Sequence, residues 1–483
     1  MKAKIFGYKN PSDEFIKVKH KGKIFTPDYL VEAILNQAHY TIGNINKKHV
    51  IDNSCGDGQF MIQIVNRYCM DFLNSNSDKR QLKQELQTYI HAIEIENEEL
   101  SVCKSRCDAV ALLYGITDVD WDFYCEDALK STRFLGKMHY TVGNPPYVRV
   151  HNLDDDFNSV KEYSFAQQGM TDLFIVFYEI GIRMLNETGI LCYISPSSFF
   201  TSVAGKKMRD YFVSNEILES VCDLKHYQPF NATTYTAIVC LNKSIVCKRV
   251  KYYEFSPDDL KQHFVDELEL SDFHFNNSFY FSEKKNLELL KNVIMCQKKS
   301  DISVKNGYAT LADKVFIHDF VFESKFVIPV LKASTGKWSK IFFPYDKNNK
   351  LISEEEISKD EQIYEYICSQ KSNLKDTASH SEKWYGFGRS QAIADTFKNK
   401  LSINALIRDV NDLKLIDVPC NCGVYSGLYI ISNTVSFDLI KEALHHNDFG
   451  NYVALLSKYK SGGYYTFSSK DVKAYLDYKL GSD

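Results

Sequence analysis

The segment HVIDNSCGDGQFMIQIV, residues 49–65, indicates how the first part of the chain folds. A short apolar strand reaches Ile51, a turn holds Gly56 and Gly58, and the apolar residues that follow begin a helix. Glycines between a strand and a helix let the backbone approach a ligand closely and place that ligand at the helix N-terminus. The turn has two glycines rather than the three of a dinucleotide-binding fingerprint, so alone it is a weak signal.

Three further predicted strands each lead to a polar residue. The strand Tyr89–Ile95 carries Glu94 near its end, where a carboxylate can bind the two hydroxyls of a ribose. The alternative is that Glu94 begins the solvated helix that follows. The strand Trp121–Tyr124 leads to Asp127, and a fourth strand ends at Asn144. Because helical segments alternate with the strands, we expect a parallel sheet with a ligand site at the carboxyl ends of its strands.

The fourth strand ends in Asn144-Pro145-Pro146-Tyr147. Two prolines cannot continue a strand, because proline lacks an N–H and fixes φ. The resulting stiff loop presents an amide side chain, the Pro145 carbonyl and an aromatic ring. Two acceptors and a ring suit a planar group that carries an –NH2. For the four residues taken alone, an ordinary strand-ending turn is the alternative.

Helix signals flank these strands. Thr26-Pro27 predicts a helix start with Thr26 as N-cap and Pro27 as the first helical residue, and the Thr26 hydroxyl is also a candidate ligand contact. The stretch TDLFIVFYEIGIRMLNETG predicts an amphipathic helix ended by Gly189, and a fifth strand follows up to Pro196. The alternation continues to about residue 244.

Composition limits the class of protein. A chain of 483 residues predicts two domains, and a net charge of −4 excludes a general basic field for nucleic acid. The 13 cysteines lack framework spacing and indicate a reducing, cytoplasmic compartment. Cys420-Asn421-Cys422 has no second pair or nearby histidine, so we predict no metal site. No run of 18 apolar residues occurs, so we expect neither secretion nor a membrane span.

From residue 245 the strands become shorter and the regular alternation is lost. Three clusters mix basic and aromatic side chains on loops broken by glycine, a composition that suits contacts to phosphates and base edges. Ordinary surface loops are the alternative. The candidate DNA-binding residues in these clusters are Lys337, Trp338, Arg389, Gln391 and Lys460.

The order of these features resembles the gamma-class N6-adenine DNA methyltransferases of restriction–modification systems. The resemblance covers roughly residues 20–244 and rests on KGKIFTP, VIDNSCGDGQF, HAIEIE, CEDAL, VGNPPYVR, TDLFIVFYEIGIRML, GILCYISPSSF and FNATTYTAIV. The rest resembles their target-recognition domains more loosely. The glycine loop departs from the usual pattern, since Asn53 and Ser54 stand where Pro-Ala is commoner. These are small substitutions, and we still expect cofactor binding.

The resemblance implies a Rossmann-like α/β methyltransferase sheet with helices on both faces in residues 1–244. It implies a mixed α+β DNA target-recognition domain in residues 245–483. S-adenosylmethionine would be the methyl donor. The residues that would hold it are Thr26, Asp52, Cys55, Gly56, Gly58, Glu94, Asp127, Ala128 and Asn144.

The resemblance also implies how a target base would be held. Asn144 and the Pro145 carbonyl would grip the adenine amino group, while Tyr147 and Phe230 would stack on the flipped base. Tyr235 lies in the same loop as Phe230 and is an equally good aromatic wall. The implied partner is double-stranded DNA, bound by a monomer, with any cognate restriction endonuclease related genetically rather than physically.

Two other functions use similar residues. RNA and protein-glutamine amino-methyltransferases share Asn-Pro-Pro-Tyr, but they usually lack the Thr-Pro segment and the large second domain. A non-catalytic DNA-binding specificity subunit would not be expected to keep Glu94, Asp127 and residues 144–147 intact. Glu323-Ser-Lys325 resembles part of a nuclease motif, but no Pro-Asp precedes it in a strand, so chance explains it better.

Overall fold

The computed structural model describes residues 25–149, 160–230, 234–374 and 384–482. Residues 1–24, 150–159, 231–233, 375–383 and 483 lie outside this description, and they include part of FNATTY. The chain forms two compact units, one up to Leu287 and one from Glu288. The predicted boundary was residue 244, and the difference arises because two further strands join the first sheet after that residue.

A nine-stranded sheet dominates the first unit, with the order β3-β2-β1-β4-β5-β7-β6-β8-β9. Strands β1 to β5 are parallel to one another, whereas β7 runs antiparallel to both β5 and β6. The strands are Val50–Asp52, Ile90–Glu94, Asp122–Cys125, Met138–Gly143, Leu185–Pro196, Leu218–Asp223, Thr236–Asn242, Arg249–Ser256 and Lys261–Glu269, numbered β1 to β9. The predicted parallel sheet is confirmed for β1 to β5, and so is the Rossmann-like α/β fold class.

Helices surround this sheet because each buries an apolar face against it. Helix α2, for example, buries Phe60, Ile64, Val65 and Tyr68, and burial of such side chains stabilises the fold by about 1.5–3 kcal/mol each. The helices of this unit are Asp28–Gln37, Gln59–Ser75, Lys79–Tyr89, Asn97–Leu113, Leu173–Met184, Lys206–Ser214 and Leu270–Phe273, numbered α1 to α7. Helix α8, Lys284–Ile294, begins in the first unit and ends in the second. A two-stranded hairpin is formed by β10 and β11, His274–Phe275 and Ser278–Phe279.

Two predicted helix ends were wrong. Helix α1 begins at Asp28 with Pro27 in the N-cap position, so Thr26 does not cap it. Helix α5 ends at Met184 rather than near Gly189, because Leu185 already belongs to β5. Gly189 is required for another reason, since a Cβ there would lie 2.8 Å from the Met138 carbonyl oxygen on the neighbouring strand.

A ladder of polar side chains crosses the amino ends of the parallel strands. The Asp122 carboxylate accepts from His91 Nδ1 at 2.6 Å, and His91 Nε2 shares a hydrogen bond of 2.8 Å with His49 Nδ1. The His49 amide N–H donates to His139 Nδ1 at 3.1 Å. These four residues lie on or beside neighbouring strands. They form hydrogen bonds to one another at the amino-end edge of the sheet.

The second unit is a mixed α+β domain, as the sequence predicted. Its three sheets have the orders β12-β20-β16-β18, β13-β15-β14-β19 and β17-β22-β21. The strands β12 to β22 are Ser303–Asn306, Ile317–His318, Val327–Lys332, Lys337–Phe342, Lys400–Ile403, Leu406–Ile407, Ile416–Val418, Gly423–Tyr425, Leu428–Ile431, Tyr459–Lys460 and Tyr464–Thr466. The helices α9 to α14 are Asp313–Phe316, Glu354–Ile357, Glu361–Ser369, Phe437–His445, Asn447–Leu455 and Ser469–Leu480.

Membrane-spanning helices and metal-binding groups are both absent from the described residues. Within the ranges given above, no helix is long and apolar enough to cross a membrane. Nor does any group of three or more His, Cys, Asp or Glu side chains in the described part of the chain form a metal site.

The histidine ladder predicts acid sensitivity. Burial, followed by the neighbouring His91 and His139, lowers the pKa of His49 from 6.5 to about 4. The unfolded chain therefore binds a proton before the folded one does, and stability present above about pH 6.5 is lost as the pH falls toward 4. We expect the melting temperature of His49→Gln to fall less over this range than that of the wild type. Parallel pH profiles of the two proteins would contradict this.

Candidate active site

The ends of β1 and β4 come together at one point. Asp52, which is 1% exposed, closes β1 and accepts at Oδ1 from the Ser54 N–H at 3.0 Å. Burial raises the pKa of Asp52 well above its usual value. Gly143 closes β4, and a Cβ there would lie 2.6 Å from Asp52 Oδ1. The contact between the two strand ends therefore requires glycine at position 143.

The glycine turn after β1 is held against β2. The Cys55 N–H donates to the Ile93 carbonyl at 3.0 Å, and the Gly56 N–H donates to Glu94 Oε2 at 2.8 Å. The other oxygen of Glu94 accepts from the Glu96 N–H at 3.0 Å. Both oxygens of Glu94 therefore hold main-chain amide groups at the end of β2.

The last glycine of the turn is packed against a helix. Gly58 has φ +93° and precedes α2 directly, and a Cβ there would lie 2.7 Å from the sulfur of Cys103 on α4. The turn is also fixed by Arg106, whose guanidinium pairs with Asp57 at 2.8 Å. Helix α2 therefore starts directly after the turn that follows β1, and the N-terminus of a helix suits a negatively charged group.

The end of β3 is tied to the same region. The Glu126 N–H donates to the Glu94 carbonyl at 3.1 Å. Asp127 accepts from the Leu129 N–H at 2.9 Å and lies 3.3 Å from the ammonium of Lys130, and Ala128 is buried beside it. Both oxygens of Asp127 are thus in use, and a hydrogen bond to an adenine ring would be an additional one.

Asn144 has one end of its amide occupied and the other open. Its Nδ2 donates to Thr26 Oγ1 at 3.0 Å, and Thr26 is 2% exposed. Its Oδ1 is buried and has no hydrogen-bond partner among the described residues. Among the residues that the structure describes, no donor hydrogen-bonds to the carbonyl oxygen of Pro145. Two acceptors on consecutive residues therefore have no partner among the described residues.

The aromatic residues lie next to these acceptors but are not parallel. The Tyr147 hydroxyl donates to the Ile194 carbonyl at 3.2 Å, and burial raises the pKa of Tyr147. Its ring meets Phe230 edge-to-face, with centroids 6.3 Å apart and planes at 79°. Tyr235 lies against His226 instead, at 6.2 Å. Stacking on both sides of a base needs two parallel rings with a gap between them. In the structure, Tyr147 and Phe230 contact each other edge-to-face and leave no such gap.

Some contacts were not predicted because they join residues far apart in the chain. The Tyr193 hydroxyl donates to Asn53 Oδ1 at 2.8 Å, and Asn53 is buried. This bond explains how a polar residue is tolerated where proline is commoner. Ser54, Cys103, Arg106 and Ile194 likewise contribute through tertiary contacts, and nothing in their local sequence distinguishes them.

The candidate DNA-binding residues all belong to the second unit. Lys337 is exposed on β15, and Trp338, 45% exposed, pairs across the strands with Leu331. Arg389 and Lys460 are exposed as well. Gln391 is half-buried, and its amide donates to the Gly307 carbonyl at 2.6 Å, which gives it a structural role.

Aromatic residues in the cluster around Arg389 belong to the core. Tyr385 is 1% exposed and Phe387 is 3% exposed, and the Tyr385 hydroxyl donates to the Ile352 carbonyl at 2.8 Å. These rings pack inside the second unit, so they are not available for stacking on bases.

The order of the parallel strands and the glycine turn after β1 define a Rossmann-like α/β fold. Residues 59–230 match the family model described as the Eco57I restriction-modification methylase. The chain is similar to the Type II methyltransferase M.BstVI of Geobacillus stearothermophilus, with 25% identity over 69% of this chain and 68% of that protein. It is also similar to the Type II restriction enzyme and methyltransferase RM.Eco57I of Escherichia coli, with 24% identity over 79% of this chain.

Only 48% of RM.Eco57I is covered by that match, so the chain spans about half of this relative. Among solved structures, the Type IIL restriction-modification enzyme MmeI, in complex with DNA, has the same fold over 94% of this chain, with a TM-score of 0.62 and 12% identity. The match covers 64% of the MmeI chain. The predicted resemblance to restriction–modification methyltransferases is confirmed, and these comparisons support S-adenosylmethionine as the cofactor.

The two glycines of the turn allow a matched test of the cofactor loop. Gly58→Ala places a Cβ 2.7 Å from the sulfur of Cys103 and in a left-handed conformation, whereas Gly56→Ala meets nothing within 4 Å. We expect Gly56→Ala to cost only the conformational strain of about 1–2 kcal/mol. Gly58→Ala should cost more, because the loop must also shift. Calorimetric binding of S-adenosylmethionine and thermal unfolding would measure both, and equal effects would contradict the close packing at Gly58.

Proposed function

We propose that the chain is a site-specific DNA methyltransferase that transfers a methyl group to the N6 amine of a flipped adenine within a restriction–modification system. The observation that carries the proposal is the pair of free acceptors, Asn144 Oδ1 and the Pro145 carbonyl, beside the Tyr147 ring. An amino group has two hydrogens to donate, and this pair of acceptors matches it. A keto group has none, and it would leave both acceptors without a partner.

The chemistry follows from those two hydrogen bonds. An adenine amino nitrogen is a poor nucleophile because its lone pair is delocalised into the ring. Accepting both hydrogens favours a pyramidal nitrogen whose lone pair points out of the ring plane. S-adenosylmethionine supplies an electrophilic methyl group when bound. Asn144 and Pro145 then act by positioning and by hydrogen bonds that strengthen in the transition state, and no strong base is needed before the attack.

The residues that would hold the cofactor fit its parts. The Asp52–Gly58 loop and Thr26 would surround the methionine moiety, Glu94 the ribose, and Asp127 with Ala128 the adenine ring. Support comes from the position of Glu94 at the end of β2, where it holds the Gly56 N–H, and from the amide groups at the start of α2. Cys55 would contribute by holding the turn in place, since its side chain is buried and its N–H donates to the Ile93 carbonyl.

Base flipping is part of the proposal, because the amino nitrogen of a stacked base cannot be reached in line. Tyr147 and Phe230 would take the base between them after turning from edge-to-face to parallel. Phe230 is favoured over Tyr235 because its ring already contacts Tyr147. Tyr235 lies against His226.

Double-stranded DNA is the proposed partner, and the second unit is the proposed target-recognition domain. Support comes from exposed Lys337, Trp338, Arg389 and Lys460, and from the likeness of fold to MmeI, which is described in complex with DNA. Gln391 is a weaker candidate than the sequence indicated, since its amide holds the Gly307 carbonyl. We also propose that the chain acts as a monomer and that any cognate restriction endonuclease is related to it genetically rather than physically.

Removing the side-chain acceptor tests the proposed reaction. Asn144→Ala should lose most transfer of tritiated methyl to DNA, while calorimetry should still detect S-adenosylmethionine binding. The control is Asn74→Ala, which changes an exposed asparagine on α2 and should act as the wild type does. Ribosomal RNA and release factor serve as further substrates. Transfer to either of them but not to DNA would refute the proposal, and so would wild-type activity of Asn144→Ala.

The stacking role of Tyr147 is tested separately from its hydrogen bond. Tyr147→Ala should weaken binding of the flipped base by about 1–3 kcal/mol. Tyr147→Phe loses only the bond to the Ile194 carbonyl and should keep stacking. The fluorescence of 2-aminopurine at the target position reports unstacking of the base. Equal fluorescence in wild type and Tyr147→Ala would contradict the assignment.

The charge of Lys337 allows a test of the second unit. If its ammonium contacts a phosphate, Lys337→Ala should weaken DNA binding uniformly and reduce the slope of log affinity against log salt by about 1. Lys347→Ala removes the same charge from an exposed turn of this unit and serves as the control. Identical salt slopes for the two variants would exclude a phosphate contact at Lys337.

A further inference from the structure

Two exposed apolar side chains lie on adjoining loops of the first unit. Met170 is 73% exposed and Val203 is 71% exposed. The loops that carry them touch, because a Cβ added to Gly169 would lie 3.1 Å from the main-chain nitrogen of Ala204. Single exposed apolar residues are ordinary, whereas apolar residues grouped on a surface often mark a binding site. Met170 and Val203 are called the apolar pair below.

Both loops lie at the carboxyl ends of the parallel strands, beside the candidate active site. The loop of Met170 leads into α5, where the Leu173 N–H donates to the Val148 carbonyl at 2.8 Å. Val148 directly follows Tyr147 in the chain. The loop of Val203 follows β5, which pairs in parallel with β4. The apolar pair is therefore next to the segment that would hold a flipped base.

A buried arginine fixes the second of these loops. Arg209 is 2% exposed, and its Nη1 donates to the carbonyls of Phe199 and Ser202, the latter at 2.9 Å. The Phe199 ring contacts Phe174, with centroids 6.5 Å apart, and Phe174 contacts Tyr147 at 6.4 Å. The loop is thus tied through packed rings to the residue that is proposed to stack on the target base.

A positive charge adjoins the apolar pair. Lys207 is exposed in the first turn of α6 and forms no ion pair with any residue that the structure describes. Lys206, in contrast, pairs with Asp210 at 2.6 Å. An ammonium group attracts phosphates, and apolar side chains pack on the faces of bases. The combination therefore suits a DNA duplex, whose stacked bases are flanked by phosphates.

Base flipping creates a need for such a surface. When a base leaves the duplex, the neighbouring base pairs lose a stacking partner and a gap opens between them. Proteins that distort DNA place apolar side chains, including methionine, between base steps. Methionine suits an irregular gap because its side chain is unbranched and adaptable.

We propose that Met170 and Val203 form an apolar wedge that enters the duplex beside the target base and occupies the gap left when that base is flipped. Lys207 would bind an adjoining phosphate. The inference rests on the proposed methyl transfer to a flipped base in DNA, and it assigns to the first unit a contact with DNA besides the target base itself.

The double variant Met170→Ala with Val203→Ala tests the wedge. Long-read sequencing of DNA from cells that express the chain first gives the methylated position. With 2-aminopurine at that position, we expect the double variant to produce less fluorescence than the wild type. Its methyl-transfer rate on a fully paired duplex should fall on the order of tenfold, because the flipped state loses its support. Wild-type fluorescence and rate would overturn the proposal.

A second duplex separates a wedge from a general defect. A mispaired base flips more easily, so a duplex that mispairs the target adenine should restore the rate of the double variant to within about twofold of wild type. Thermal unfolding and S-adenosylmethionine binding should match those of the wild type, since both side chains are exposed. An equal loss of rate on both duplexes would indicate a structural role and would overturn the proposal.

Leu113→Ala is the matched control. Leu113 is 79% exposed at the end of α4, which leads back to the start of β3 and so lies at the opposite edge of the sheet. This variant should act as the wild type does on both duplexes. A rate loss equal to that of the double variant would contradict a specific role for the apolar pair.

Two further measurements distinguish the alternatives. Sedimentation without DNA tests whether the apolar pair binds a second copy of the chain, and a dimer that the double variant loses would overturn the proposal. A wild-type protein that methylates no DNA would refute the proposed function itself. Wild-type methylation with an unaffected double variant would refute only this inference.

Discussion

Parallel pairing of β1 between β2 and β4 is the constraint on which the site depends. The main chain of Ile51 pairs with His91 on one side and Thr141 on the other, so the three strands end at one edge of the sheet. Asp52 and Gly143 meet there at a distance that leaves no room for a side chain on the glycine. The glycine turn, Glu94 and Asn144 are therefore neighbours, although about 90 residues separate the first from the last.

Most polar groups at this edge hold one another in place. Glu94 binds the amide groups of Gly56 and Glu96, and Asp57 binds Arg106. The two acceptors of Asn144 and Pro145 differ from these, because no described residue satisfies them. Buried polar atoms normally find a partner in the folded protein, and the proposed amino-group ligand would supply one for Asn144.

Residue composition alone does not show which side chains of the second unit reach the surface. Its aromatic and basic clusters look alike in sequence, but Tyr385 and Phe387 are core residues while Lys337 and Trp338 reach the surface. Short strands from distant segments decide which side of a loop faces inward. These strand pairings decide which rings are buried, and the local sequence does not reveal the outcome.

The sequence by itself determined the strand–turn–helix order, the stiff loop at Asn144 and the polar residues at the strand ends, because periodicity, proline and glycine act locally. It misplaced the role of Thr26 at the helix start, the end of α5 and the end of the first unit. Only the tertiary structure decided that Thr26 binds Asn144, that Tyr147 meets Phe230 at its edge, and that β8 and β9 extend the sheet. Each of these depends on which distant segments become neighbours, and that is set by packing of the whole unit.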